Sequence, residues 1–260
     1  MTTMSTPFDL SGKTAVVTGG GRGLGLGISD ALLEAGADVI VFGRSPLPVA
    51  LTKHAAELGR QVDFVAVDLA NSDTIAAAAD QVLSARRVDI LVNNAGTQDR
   101  YPAVNFPLAA WDSVLDVNLR AVFQLCQQFG RPMLERGEGK IVNLASLLSF
   151  QGGTTVPAYA ASKGAVAQLT KALCNEWSSR GVNVNAVAPG YMATEMNTAC
   201  WPTRSAWSRS RRGSRQVAGE SRRTSATSWC SLPLRLRHTF TARSSPSTGA
   251  GWPDDRRAGP

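Results

Sequence analysis

Between the β-branched run Thr14–Thr18 and a segment of helical spacing at Leu24–Glu34 stands the octapeptide Thr18-Gly19-Gly20-Gly21-Arg22-Gly23-Leu24-Gly25. Ordered glycine carries the largest backbone entropy cost, so five in eight residues suit a chain that must turn sharply or let another group approach its backbone. Strand, glycine-rich turn and helix in that order form the entry to a nucleotide-binding βαβ unit. Gly19 would permit the tight turn, Gly23 would let a pyrophosphate approach, and Gly25 would let the helix pack closely on the sheet, with its N-terminus facing the phosphates. A glycine-rich turn alone also fits a plain loop, and it is the flanking strand and helix that favour the nucleotide reading.

The same alternation continues down the chain. Strands are expected at Thr14–Thr18, Val39–Phe42, Val62–Val67, Ile90–Asn93, Lys140–Leu144 and Val182–Val187. Helices are expected at Leu24–Glu34, Leu47–Leu58, Ser72–Ala85, Pro107–Arg136 and Pro157–Arg180. Six strands joined by five crossovers make an α/β fold, a doubly wound parallel sheet of the Rossmann type, over residues 1–197. With 43% apolar residues in 260, one such core is affordable in size. Met1–Leu10 lacks the basic flank and apolar run of a signal peptide, and no stretch has the uninterrupted apolar length of a membrane span, so a cytoplasmic protein without membrane partners is expected. Cys126, Cys174, Cys200 and Cys230 lack metal-binding spacing, and His54 and His238 lie far apart, so no metal site is expected.

Three residues suggest chemistry. Tyr159 and Lys163 stand four apart near the start of a helix and share one face, where an ammonium would favour the phenolate of a side chain whose ordinary pKa is about 10. Ser146 ends the fifth strand, at the carboxyl edge where open α/β sheets bind ligands. Its hydroxyl could hold a reacting oxygen while Tyr159 exchanges the proton. Each residue alone is commonplace, and a strand-end Ser is most often a turn residue.

The end of the second strand bears on the coenzyme, because an acid there would bond the adenosine ribose of NAD and repel a 2′-phosphate. The chain reads Phe42-Gly43-Arg44 instead. Arg44, with Arg22 in the turn, could pair with the phosphate of NADP, or both could be solvated surface arginines; NADP is the expected coenzyme and NAD is possible.

The spacing Thr-Gly-x-x-x-Gly-x-Gly, followed by Asn93-Asn94-Ala95-Gly96 and by Ser146, Tyr159 and Lys163 in that order, resembles the short-chain dehydrogenase/reductase family from about Asp9 to Met196. The resemblance implies hydride transfer between a nicotinamide dinucleotide and a carbonyl or alcohol. It implies a catalytic set of Asn118, Ser146, Tyr159 and Lys163, with Asn118 holding a water in the proton relay. It further implies dinucleotide contacts from Thr18, Gly19, Arg22, Gly23, Leu24 and Gly25, from Asp68 and Leu69 after the third strand, from Asn94, Ala95 and Gly96, and from Pro189, Gly190 and Thr194, with Tyr159 and Lys163 shared. Asp68 would meet the adenine amino group, although an Asp there could equally cap the next helix.

Residues 145–153 and 183–194 resemble a narrower bacterial group, the 2-deoxy-D-gluconate 3-dehydrogenases, also called 2-dehydro-3-deoxy-D-gluconate 5-dehydrogenases. This implies a sugar-acid substrate met by Ser146, Gln151 and Tyr191, with a gluconate or polyol dehydrogenase as the neighbouring alternative.

From Thr198 the rhythm stops. Residues 200–260 hold 12 Arg, 11 Ser and 4 of the chain's 6 Trp, with no Ile and one Val, which suits disorder better than a core. The net charge of +7 belongs wholly to this stretch, since residues 1–199 carry 15 basic and 17 acidic groups. The family's substrate lid and seventh strand are absent from it. Read with the last base of each codon joined to the first two of the next, residues 213–220 can spell Ile-Pro-Ala-Gly-Arg-Trp-Gly and residues 246–252 can spell Val-Asp-Gly-Gly-Trp-Leu. Both resemble the family's C-terminal segments, in order. Residues 198–260 are therefore expected to be a frameshifted reading, and the basic tail is not expected to bind nucleic acid. Three outcomes stay open: an active oxidoreductase whose C-terminus is misread, an inactive cofactor-binding remnant, or a second, nucleic-acid-binding function. A homo-oligomer is expected of the in-frame protein and is doubtful for the printed chain.

Overall fold

A computed structural model describes residues 9–190. The expected Tyr191, Thr194, lid, seventh strand and tail all lie outside the described residues. Six parallel strands, β1 (Thr14–Thr18), β2 (Asp38–Gly43), β3 (Val62–Ala66), β4 (Ile90–Asn93), β5 (Gly139–Leu144) and β6 (Val182–Val187), form one sheet in the order β3-β2-β1-β4-β5-β6. The reversal of direction falls between β1 and β4, where the crevice of a doubly wound sheet opens.

Strands covered on both faces read as continuous apolar runs, and Ala15-Val16-Val17 and Val39–Phe42 are buried throughout. Alternation then sorts them. Val16, Ile40, Phe42, Leu91 and Ile141 face α3 (Ser72–Ala85), α5 (Ala121–Arg136) and α7 (Pro157–Trp177). Ala15, Val17, Val39, Val41 and Val92 face α1 (Gly23–Glu34) and α2 (Val49–Glu57). On this second side Val142 of β5 and Val187 of β6 are only partly buried. Among the described residues, the helices of that side pack on β1, β2 and β3.

The expected helix Pro107–Arg136 is divided into α4 (Leu108–Leu115), a widened π-type turn at Asp116–Arg120, and α5. In that turn the Ala121 N–H reaches back five residues to the carbonyl of Asp116. Periodicity did not mark two short pieces, a 3₁₀ turn at Ala103–Asn105 and α6 (Leu148–Gln151). The last expected turn of α7 is a 3₁₀ turn, Ser178–Arg180, stopped by Gly181 at φ +82°. No described helix is long and apolar enough to cross a membrane.

Candidate active site

The glycine-rich turn is built around a contact that admits no side chain. A Cβ at Gly25 would stand 2.1 Å from the Gly19 carbonyl oxygen and 2.4 Å from Asn94 Nδ2. Gly25 thus lets α1 approach the turn itself and the loop after β4. Gly19 and Gly23 take φ of +65° and +51°, the left-handed region that L side chains rarely occupy. Ser29 Oγ, from within α1, donates to the Gly20 carbonyl at 3.0 Å. The Arg22 side chain makes no cap bond to the N-terminus of α1 and no acid stands in its first turn, so the amides there and the positive end of the dipole suit an anion.

The loop after β4 is stitched to the end of β1. Thr18 Oγ1 accepts the N–H groups of Asn94 and Ala95 at 3.0 and 2.9 Å, and Asn94 Nδ2 donates to the carbonyls of Thr18 and Gly19 at 2.9 and 3.3 Å. The buried Thr18 side chain is consumed by this seam, so any dinucleotide contact from this residue falls to its main chain. Leu69 is likewise a core side chain, which leaves only its backbone for a ligand.

Asp68 lies two residues past the end of β3 and is exposed, with Oδ1 accepting the Ala70 N–H at 3.0 Å. The cap of α3 is not Asp68 but Asn71, whose Oδ1 accepts from Asp73 and Thr74. Arg44 follows β2 directly and is exposed, as is Arg22 in the turn.

At the carboxyl ends of β4 and β5 the remaining residues converge. Ser146 follows β5 by two residues, and its hydroxyl lies near enough to the Tyr159 phenol to favour the phenolate. Lys163 Nζ lies 5.8 Å from the centre of the Tyr159 ring and donates to the Leu144 carbonyl at 2.5 Å. Burial pushes the Lys163 ammonium down to about 8. Burial also raises the Tyr159 phenol above its ordinary value, and the Ser146 hydroxyl opposes that rise. The expected lowering by the ammonium is not what dominates here; loss of water around the phenol outweighs it.

Asn118 is fully buried within the π-type turn, and its side chain is committed. Oδ1 accepts the Thr97 N–H at 2.8 Å, while Nδ2 donates to the Thr97 carbonyl at 2.9 Å and to Ser162 Oγ at 3.1 Å. Ser162 in turn donates to the Tyr159 carbonyl at 2.8 Å. Gly96 lies between Asn118 and Lys163, where a Cβ would meet Asn118 Oδ1 at 3.2 Å and Lys163 Nζ at 3.7 Å. The Asn118 amide is thus a strut between the Thr97 loop and Ser162.

Pro189 accepts the Leu147 N–H at 3.4 Å, which brings Pro189 and Gly190 alongside the Ser146 loop. Gln151 ends α6 with its side chain exposed.

Sequence reasoning missed three parts. Beneath the site, Asn93 Nδ2 donates to Asn143 Oδ1 at 2.8 Å and Asn143 Nδ2 donates to Thr170 Oγ1 at 3.0 Å, a buried chain from β4 through β5 to α7. Ser149 bridges α6 and α7, and Ser162 bridges Asn118 and Tyr159. Asparagines inside otherwise apolar strands were the one available signal, because a buried amide needs partners. Among the described residues no group of three metal-ligating side chains occurs, and burial drives the Cys126 thiol up to about 12.

The family model for short chain dehydrogenase matches residues 13–205. The 2-dehydro-3-deoxy-D-gluconate 5-dehydrogenase of Bacillus subtilis (strain 168) is 49% identical over 187 residues, 72% of this chain and 74% of that protein. Galactitol 2-dehydrogenase (L-tagatose-forming) of Cereibacter sphaeroides is 43% identical over 198 residues, 74% of this chain and 76% of that protein. The crystal structure of a gluconate 5-dehydrogenase from Burkholderia cenocepacia J2315, in complex with NADP and tartrate, superposes with a TM-score of 0.72 at 38% identity, covering 76% of this chain and 79% of that one.

Proposed function

The chain belongs to the short-chain dehydrogenase family, and from that premise we propose that it interconverts a hydroxyl and a ketone on a sugar acid, of the 2-deoxy-D-gluconate or 2-dehydro-3-deoxy-D-gluconate type, with NADP as coenzyme. One observation carries the proposal: Ser146, Tyr159 and Lys163 meet at the carboxyl edge of the sheet that also holds the Gly19–Gly25 turn.

The residues present fit a dinucleotide. The turn excludes side chains at Gly25, and the start of α1 offers amides and dipole to a pyrophosphate. Gly43 stands where an acid would repel a 2′-phosphate, and the exposed Arg44 beside it supplies a charge-assisted donor for that phosphate. Asp68 keeps one carboxylate oxygen outside its turn for the adenine, and Pro189 and Gly190 flank the nicotinamide end. The coenzyme, when bound, takes or supplies the hydride.

The protein's own groups handle the oxygen and its proton. The Ser146 hydroxyl bonds the substrate oxygen, and Tyr159 takes that oxygen's proton on oxidation and returns it on reduction. At neutral pH, below its pKa of about 8, Lys163 is charged, and an ammonium 5.8 Å from the centre of the Tyr159 ring favours the phenolate. Asn118 fixes the Thr97 loop and Ser162. Gln151 and Tyr191 meet substrate hydroxyls.

A gluconate dehydrogenase is the second reading, favoured by the NADP and tartrate bound to the Burkholderia relative and by Arg44 here. The test measures NADP- and NAD-linked turnover of 2-deoxy-D-gluconate, 2-dehydro-3-deoxy-D-gluconate, gluconate and galactitol, using the printed chain and its frame-restored counterpart. Failure of both proteins to transfer hydride with every substrate would refute the proposal. A clear preference for gluconate selects the second reading.

A further inference from the structure

Ser149 stands where the loop after β5 meets α7. Its Oγ donates to the main-chain carbonyl of Lys163 at 2.7 Å and accepts the main-chain N–H of Ser146 at 3.2 Å. One hydroxyl thus spans two residues of the reacting set, and a hydroxyl has the single proton and the lone pairs to do both at once. We propose that Ser149 is a positioning residue, which sets the distance between Ser146 on the loop and the Tyr159–Lys163 face of α7. This rests on the reading of Ser146, Tyr159 and Lys163 given above.

Local structure shows why a tie is needed here. A helix of four residues has no stability of its own, and Leu147, which precedes α6, offers it no side-chain cap. What holds it are side-chain bonds: Ser146 Oγ accepts the Leu148 N–H at 3.2 Å, and Ser149 reaches α7. α6 lies against α7, where a Cβ at Gly164, the residue after Lys163, would make an ordinary van der Waals contact of 3.8 Å with the Ser149 carbonyl oxygen. Removing the Ser149 hydroxyl would leave the Ser146 N–H without this acceptor and loosen the loop from the helix. Ser146 would then drift from Tyr159, whose polar neighbours are the Ser146 hydroxyl on the loop side and the Lys163 ammonium on α7.

The test compares Ser149→Ala and Ser149→Thr with the parent, in the full chain and in its frame-restored counterpart, with kcat expressed per dinucleotide-binding site so that misfolded protein does not count. Ser149→Ala should lower kcat for alcohol oxidation by about 3- to 10-fold, the worth of one hydrogen bond. KM for the dinucleotide should stay within about twofold, because the glycine-rich turn is untouched. The rising limb of the pH–kcat profile should move to higher pH, since Tyr159 loses the Ser146 hydroxyl that holds its pKa down. Ser149→Thr, which keeps the hydroxyl, should restore both. An unchanged kcat and pH limb in Ser149→Ala overturns the proposal even if melting temperature falls, and so does failure of Ser149→Thr to restore them. Tyr159→Phe run alongside separates the two readings: if it turns over normally the site assignment is wrong, and if it is inactive while Ser149→Ala is normal, only the role of Ser149 is wrong.

Discussion

Lys163 Nζ donates to the Leu144 carbonyl at 2.5 Å, so the last residue of β5 holds in place the ammonium that stands beside Tyr159. The arrangement confines a charge with 3% exposure, and stability must register the cost. Burial depresses the folded-state pKa to about 8 from 10.5. Below about 8 both states are protonated and the cost of burying the charge is fully present. Between about 8 and 10.5 the unfolded chain binds the proton more tightly, so stability gains on that account as pH rises. Relative to Lys163→Met, the parent should therefore gain roughly 1 kcal/mol per pH unit above pH 8, read from urea unfolding at pH 7, 8 and 9.5. A constant difference across that range would show that Lys163 titrates normally. Measurements stop below pH 10 because the raised pKa of Tyr159 acts in the opposite sense above its ordinary value.

Tyr159→Phe removes the hydroxyl that exchanges the proton while leaving the ring and its packing. Turnover should fall by at least ~100-fold with dinucleotide affinity retained, as measured by steady-state kinetics and fluorescence titration. Near-normal turnover would assign the proton transfer to another group.

Gly25→Ala puts a methyl 2.1 Å from the Gly19 carbonyl oxygen, and that oxygen belongs to backbone. The turn has to open. We expect a stability loss of about 2–3 kcal/mol by denaturant titration, together with weakened dinucleotide binding. Parent-like values for both would mean that α1 can shift away from the turn without cost.

Arg44→Ala should weaken NADP(H) by about 1.5 to 3 kcal/mol and leave NAD(H) nearly unchanged, because only the former offers a 2′-phosphate. The measurement is the pair of dissociation constants at one salt concentration. Equal losses would show that Arg44 does not read that phosphate.

The printed C-terminus supplies the fifth expectation. β6 is an edge of the described sheet, and Val142 and Val187 on the α1 side are only partly buried. Restoring one base near codon 198 should give a soluble, active enzyme, whereas the 260-residue chain should have low solubility and little turnover. Similar solubility and similar turnover from both proteins would refute the frameshift account.

β1, β2 and β4 were legible because parallel strands buried on both faces leave apolar, β-branched runs, whereas β3, β5 and β6, interrupted by Asp63, Lys140, Asn143, Asn183 and Asn185, were legible from their β-branched content between helical segments. The glycine turn was legible as well, through the density of a residue that is otherwise costly. The division of Pro107–Arg136 was not, because a π-type turn changes hydrogen bonding without changing which residues are apolar; it becomes visible only once Asn118 is seen bonded to Thr97. Asp68 and Asn71 both suit a helix cap, and only the fold shows Asn71 in that place. Ser149 and Ser162 carried no signal at all, since a serine in a loop or helix gains meaning from the distant carbonyl it meets. The commitment of Thr18 to the loop after β4 was hidden for the same reason.

The close fit of Gly25 to both Gly19 and Asn94 bears on any attempt to rebuild this site in another scaffold. The octapeptide is not a transferable cassette. Asn94, almost seventy residues further along the chain, donates to the carbonyls of Thr18 and Gly19, and Thr18 in turn anchors Asn94 and Ala95. A graft of the turn must therefore carry the loop after β4 with it, and a library that varies residues 18–25 while holding 94–95 fixed, or the reverse, will sample mostly broken seams.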